Sequence, residues 1–337
     1  MKTMKHRRTS EATNDRATAS PFRRAARAAL VSALALCLLC ATPARRSTAQ
    51  RKSPPRPVER QPVERQTPGQ LKSIESAPYT TFYYKSGGLN IEAYLYRPQG
   101  AGPFPLVIYN HGSRAGQERV EKPFKFIADI FVPQGYAVLV PERRGYGKSD
   151  GQTYGEEVGG DRGERMMKRF REEAGDVLAG LDHLKNAETE ADSNRLRQSR
   201  MTGQIDFRRV ALVGWSHGGV VSILAAGERR EFVALVDQAG GALTWKSSPV
   251  LRSELPAAAA KIKIPALCMD AENDATTEAA RTVGEAIKNS GEWEKTIIYP
   301  PFTPTSNPSN IAPGHLIFGQ GVSIWQDDLL AFLKPRL

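Results

Sequence analysis

Residues 210–222 read VALVGWSHGGVVS, an apolar run that halts at Gly214, holds a serine and a histidine among glycines, and resumes at Val220. An apolar run bounded by glycine reads as a buried strand, and the stretch after Gly218 has the composition of a helix. In the frame G-x-S-x-G, here Gly214 to Gly218, a serine between strand and helix occupies a sharp, strained turn. The flanking glycines let the two elements approach without a Cβ clash. The Ser216 hydroxyl then stands clear of the sheet edge. The amide of His217, at a helix N-terminus, points where negative charge develops during acyl transfer. This segment therefore predicts an open α/β sheet with its chemistry at the carboxyl ends of the strands.

The rest of the body supports that architecture. YTTFYYKSGG and NIEAYLYRP read as a hairpin around Gly87 and Gly88. FPLVIYNHG is a strand entering a glycine turn, followed by a helix through KPFKFIADIF and a strand, YAVLVPERRG. Met167, Phe170, Ala174, Val177, Leu181 and Leu184 recur at three and four residues and mark one face of a helix. Further strands follow at EFVALVDQAGG, IPALCMDAEND and EKTIIYP, with helices over TEAARTVGEAIKN and SIWQDDLLAFL. Apolar strands alternating with amphipathic helices predict a mostly parallel sheet with helices on both faces.

The net charge of +11 suggests nucleic acid until it is located. Residues 1–66 hold 15 Lys and Arg against 4 Asp and Glu, and the remainder balances 32 against 32. The folded body therefore has no basic excess for phosphate, and nucleic acid is not an expected partner. Arg23, Arg24 and Arg27 precede AALVSALALCLLCA, a run suited to a signal-peptide core and short for a membrane span. Small residues at Ala44 and Ala49 offer cleavage points. The expected organisation is a signal peptide over 1–49, a Pro/Gln/Arg-rich linker over 50–77 with PVERQ in tandem, and a catalytic domain over 78–337. Export follows, with anchoring by an uncleaved leader as the alternative and the sole membrane contact. Of three cysteines, Cys37 and Cys40 lie in the leader, so the body keeps Cys268 alone. It contains no H-x-x-x-H or C-x-x-C spacing and no dinucleotide fingerprint, so neither metal nor cofactor is expected.

The motifs NHGS at 110–113, PERRGYGKSDG at 141–151, IDFRRVALVGWSHGG at 205–219, AENDATT at 271–277 and PGH at 313–315 occur in that order. Together they resemble the dienelactone hydrolase branch of the α/β-hydrolase superfamily, close to the prolyl oligopeptidase catalytic domain. The resemblance covers roughly residues 78–337 and implies an α/β-hydrolase fold with a nucleophile, acid and histidine in that chain order. Dienelactone hydrolases proper use cysteine where this chain has Ser216, which shifts the expectation toward a serine esterase or peptidase.

A serine needs a base, and the histidines are His6, His111, His183, His217 and His315. His6 is in the leader, His183 in the long helix, and His217 adjoins the nucleophile with its ring toward the helix packing. The resemblance gives the His111 turn a role in the oxyanion hole, through the amide of Gly112 or Ser113 beside that of His217. His315, after the last strand, is the candidate base. For the acid, Asp274 in the loop after its strand is favoured, with Asp270 and Asp237 as alternatives; Asp274 could instead cap the following helix. Arg114, Arg143 and Arg144 at strand ends are candidate contacts for a substrate carboxylate, and Trp215 is a further binding candidate. The stretch 242–263 is too short for a large cap domain, and residues 1–77 leave no room for a gating propeller. The glycine-rich segment 151–166 is a candidate rim. The expected substrate is a small ester or lactone, with a short peptide or amide as the alternative and a non-catalytic binding domain as the second.

Overall fold

The computed structural model describes residues 79–189 and 205–337, so the expected signal peptide and the whole of the expected linker lie outside the described residues. Strands β1 (Tyr79–Ser86) and β2 (Leu89–Tyr96) form the hairpin, closed by Gly87 and Gly88. Then come β3 (Phe104–Asn110), helix α1 (Lys125–Phe131), β4 (Ala137–Pro141), the short α2 (Tyr154–Glu157) and the long α3 (Glu164–Thr189). After residue 204 follow β5 (Ile205–Trp215), α4 (His217–Glu228), β6 (Ala234–Gln238), α5 (Pro249–Ala259), β7 (Ala266–Ala271), α6 (Glu278–Asn289) and β8 (Glu294–Tyr299). The short α7 (Ile317–Gln320) and α8 (Val322–Leu333) close the chain.

The eight strands form one sheet in the order β1-β2-β4-β3-β5-β6-β7-β8, antiparallel as far as β4 and parallel from β4 to β8. Alternation along β3 shows how the core is divided. Leu106 and Ile108 join the cluster with Phe170 and Val177 of α3, Val220 and Ile223 of α4, Leu251 of α5 and Val283 of α6. Val107 and Tyr109 face the opposite cluster, with Ile127 of α1 and Trp325 and Leu329 of α8. Side chains two apart share a face of a strand, so one sheet buries two helix layers.

The apolar stripe predicted for α3, Met167 through Leu184, is buried throughout. Two things differ from the sequence reading. Helix α5 fills the stretch where no element was predicted: Ser248 accepts the Leu251 amide, and Pro249 starts the helix with its φ already set. Pro256 inside it reads as a breaker in sequence, yet burial of Leu251, Leu255 and Ala259 holds the turn in place. In addition, Arg169, Glu173 and Asp176 of α3 are fully buried, although their polarity assigns them to solvent.

The strand order reverses around β3, whose neighbours are β4 and β5. In an open α/β sheet the crevice at such a switch point receives ligands. Asn110 ends β3 opposite Gly214 of β5, so His111 and Ser216 emerge side by side from that edge.

Candidate active site

Ser216 lies between β5 and α4 with φ 57° and ψ −117°, a backbone strain of about 1–3 kcal/mol for a residue with a Cβ. Close approach on both sides enforces it. A Cβ on Gly218 would lie 1.9 Å from the Asn110 carbonyl oxygen, and one on Gly214 would lie 2.2 Å from the Gly218 oxygen. The Ser216 amide donates to the Gln238 carbonyl at 2.8 Å, which ties the turn to the end of β6.

His315 sits in a one-turn 3-10 helix, Pro313–Leu316, and is 1% exposed. Its Nδ1 lies 2.7 Å from Asp274 Oδ2 and its Nε2 2.7 Å from Ser216 Oγ. With the proton on Nδ1, the ring donates to Asp274 and accepts from the serine hydroxyl. Gly314 is required because the two loops press together: a Cβ there would be 2.5 Å from the Asp274 nitrogen. Asp274 Oδ1 accepts the Ala275 amide at 2.5 Å, while Thr277 occupies the N-cap of α6. The Asp274 carboxylate is thus directed to the imidazole, not to the helix end. Asp237 accepts from the Gly240 amide at 3.0 Å and Asp270 from the Ala271 amide at 2.8 Å, both fully buried.

Two cavities flank Ser216. The larger, about 430 Å³, is lined by Gly112, Ser113, Trp215, Leu243, Ile311 and His315 among others. The smaller, about 210 Å³, is lined by Tyr154, Arg162, Phe170, His217, Leu243 and Thr244, with Ser113 shared. The segment 151–166 therefore contributes Tyr154 and Arg162 to the rim. Leu243, 40% exposed in the loop after β6, borders both cavities; an isolated leucine in a loop gave no sequence signal. Gly112 packs beside the nucleophile, where an added Cβ would lie 3.4 Å from the Ser216 Cβ. The amide of His217, first residue of α4, has no acceptor within its own helix.

The arginines are placed differently from the sequence expectation. Arg143 is fully buried: its Nε donates to Glu173 at 2.8 Å and its Nη2 to the His111 carbonyl at 2.9 Å. It therefore lines neither cavity and is a strut, because an arginine this enclosed has no face for a substrate. Arg114 borders the larger cavity, but its guanidinium is held by Glu142 and donates to the Val120 carbonyl at 2.9 Å. Arg144 is bound bidentately to Asp176, both contacts at 2.9 Å. Trp215 walls the larger cavity, its ring 5.8 Å from that of His315.

Glu173 also contacts His217 Nε2 at 2.7 Å and accepts from Arg169 Nε at 2.7 Å. Burial alone would raise its carboxyl, but His217, Arg143 and Arg169 hold it well below the usual carboxylate range. Burial lowers the His217 pKa. Through Arg143 and Glu173 one ion network grips both the turn that carries Gly112 and Ser113 and the residue after the nucleophile.

Residues 87–254 match the family model of X-Pro dipeptidyl-peptidase (S15 family), a span that contains Ser216 and ends before Asp274 and His315. Over 198 residues the chain is 26% identical to the quorum-quenching protein AidA of Acinetobacter baumannii (strain MDR-ZJ06), covering 58% of this chain and 55% of that protein. Acylaminoacyl peptidase from Pyrococcus horikoshii is similar in structure at TM-score 0.57 and 18% identity, over 79% of this chain and 43% of that one. A Klebsiella pneumoniae protein assigned as a dienelactone hydrolase is similar at TM-score 0.50 and 20% identity, over 76% of this chain and 98% of that one. The matched region is thus about half of the first two proteins and nearly all of the third.

Proposed function

We propose that this chain, a hydrolase of the α/β-hydrolase superfamily, is an exported serine hydrolase that cleaves small carboxylic esters or lactones through an acyl-enzyme on Ser216. The observation that carries the reading is the continuous line Ser216 Oγ, His315, Asp274, with both hydrogen-bond distances at 2.7 Å. In the reaction His315 Nε2 takes the hydroxyl proton as Oγ bonds to the carbonyl carbon, and Asp274 fixes the tautomer and stabilises the imidazolium. The carbonyl oxygen gains charge between the amide of His217 and that of Gly112 or Ser113, a type of donor worth on the order of 10²–10³ in turnover each. The imidazolium then protonates the leaving alcohol. Water, deprotonated by the same His315, releases the acid and restores Ser216.

The leaving group must lie beside His315 to receive that proton. This assigns it to the 430 Å³ cavity, which His315 lines, and the acyl group to the 210 Å³ cavity on the His217 side. Tyr154, Phe170, Val220 and Leu243 give the acyl cavity apolar walls beside the polar Arg162 and Thr244, in a volume that suits a short chain. The peptidase reading is kept as the alternative because the matching family model is that of a dipeptidyl-peptidase. Hydrolysis of p-nitrophenyl esters of graded acyl length, beside aminoacyl p-nitroanilides, separates the two. The ester reading predicts turnover concentrated on short acyl esters; faster anilide cleavage would replace it with the amidase reading. For export, mature protein from an exporting host is expected to begin near Arg45 or Gln50, and an intact N-terminus on a cytoplasmic product would refute it.

A further inference from the structure

We infer that Leu243 is a specificity-determining residue, the partition that closes the acyl cavity against the leaving-group cavity and so limits the length of the acyl chain. The inference rests on the reading of Ser216, His315 and Asp274 as a triad, and deepens it by naming what sets substrate size. The two cavities have three residues in common: Ser113, Ser216 and Leu243. Ser216 carries the nucleophile, and Ser113 belongs to the turn assigned to the oxyanion. Leu243 comes from a separate segment, the loop between β6 and α5, and its side chain has no group to donate or accept a hydrogen bond. A carbonyl placed for attack by Ser216 therefore has its acyl chain on one side of Leu243 and its alcohol on the other.

The loop is built to hold that side chain in place. Ala239 and Gly241 turn the chain with φ 56° and 77°, and a Cβ on Gly240 would lie 2.3 Å from Asp237 Oδ1. The Thr244 and Trp245 amides both donate to the Gly241 carbonyl, at 3.0 and 2.8 Å, and Ala242 and Trp245 on either side are buried. Two further bonds tie the loop to the margins of the site. Lys246 Nζ donates to the Ala275 carbonyl, next to Asp274, at 2.5 Å. Ser248 Oγ donates at 2.5 Å to the carbonyl of Arg162, which lines the acyl cavity. Leu243 is thus 40% exposed on an anchored backbone. A leucine so placed forgoes part of the stabilisation that full burial would give, and what it borders instead is substrate space. An acyl chain that fits within about 210 Å³ stays on its own side, and a longer one has to cross Leu243 toward the 430 Å³ cavity.

The test is kcat/KM for p-nitrophenyl acetate, butyrate and octanoate in the wild type, Leu243→Ala, Leu243→Phe and Leu243→Met, each checked for folding by its melting curve. Ratios between esters are taken within each protein, so a general change in activity cancels. Leu243→Ala should raise the octanoate-to-butyrate ratio about tenfold or more, the scale on which an apolar pocket discriminates methylene groups. Leu243→Phe should lower the butyrate-to-acetate ratio by a similar factor. Leu243→Met, close in volume, should keep both ratios within about threefold of wild type. With the acyl group fixed as acetyl, the ratio of 1-naphthyl to phenyl acetate should move less than about threefold in every variant, because the alcohol occupies the larger cavity. Acyl ratios that stay at wild-type values in both Leu243→Ala and Leu243→Phe would overturn the inference. So would a shift confined to the alcohol series, which would seat the acyl group on the His315 side. If Leu243→Ala does not fold, the phenylalanine ratios decide. A wild type inert to these esters and to a fluorophosphonate would remove the triad reading and this inference with it; an active wild type whose ratios the variants do not change removes the inference alone.

Discussion

On either side of Ser216 the chain buries titratable groups, and the two sides are built on different charge balances. Toward His315 the acids are in excess: Asp274, Asp270 and Asp237 lie on or beside neighbouring strand ends, and in the proposed reaction the positive charge raised there is the imidazolium itself. Toward His217 the charges balance: two arginines, Arg143 and Arg169, meet two glutamates, since both pair with Glu173 and Arg169 also pairs with Glu157. The first arrangement stabilises a charge that comes and goes, and its outer end opens onto a cavity through the Ser216 hydroxyl. In the second, the charges are paired in the resting structure, which makes it a rigid frame for the residues that the proposal assigns to the oxyanion hole. On the proposed reading, similar residue types thus serve proton transfer in one place and rigidity in the other.

Replacing His315 with Ala removes the mobile charge, and turnover should fall about 10⁵–10⁶-fold, with the melting temperature changed by no more than a few degrees. Steady-state kinetics beside calorimetry checks both halves of that expectation. Asp274→Asn should cost about 10⁴-fold in kcat while the fold survives, because the amide presents the wrong partner to Nδ1. The opposite pattern is expected on the other side: Glu173→Ala strands two buried guanidinium groups and should destabilise the protein by about 3–5 kcal/mol in denaturant titrations. Its turnover loss should be the smaller one, about 10–100-fold, because the oxyanion amides loosen but the proton relay stays. Equal activity losses for Glu173→Ala and His315→Ala would erase the distinction between frame and relay.

The smallest effect sharpens the comparison through pH. Burial raises Asp237 from 3.8 to about 7, so between those values the folded state holds a proton that the unfolded chain has released. Stability should therefore decline as pH rises through that window, by up to about 1.4 kcal/mol per pH unit for this group. Asp237→Asn should flatten that share of the slope and gain most above pH 7. Melting curves from pH 4 to 8 measure it. A stability difference between Asp237→Asn and wild type that does not grow with pH over that range would contradict the acid-rich account.

Much of this site was legible in the sequence because its chemistry depends on local patterns. The elbow around Ser216 is a strand, two obligatory close approaches and a helix within one short segment. His315 followed from a short list of histidines and from chain order, and Asp274 from its place in the loop after β7. The buried frame was not legible. Arg143 and Glu173 lie 30 residues apart, and each looks like a solvent-facing charge until the loop after β4 folds onto α3. For the same reason Arg143 reads in sequence as a substrate-binding candidate, because a loop arginine at a strand end is usually wet. Asp270 was weighed as a rival to Asp274. Sequence spacing alone does not separate the two, since the fold decides which carboxylate reaches His315.

The central claim is that Ser216 is the nucleophile, and covalent labelling tests it most directly. Folded wild-type protein treated with a fluorophosphonate should gain one adduct, located by peptide mass spectrometry on Ser216, and Ser216→Ala should gain none. Equal labelling of the two proteins, or an adduct on a different serine, would contradict the account.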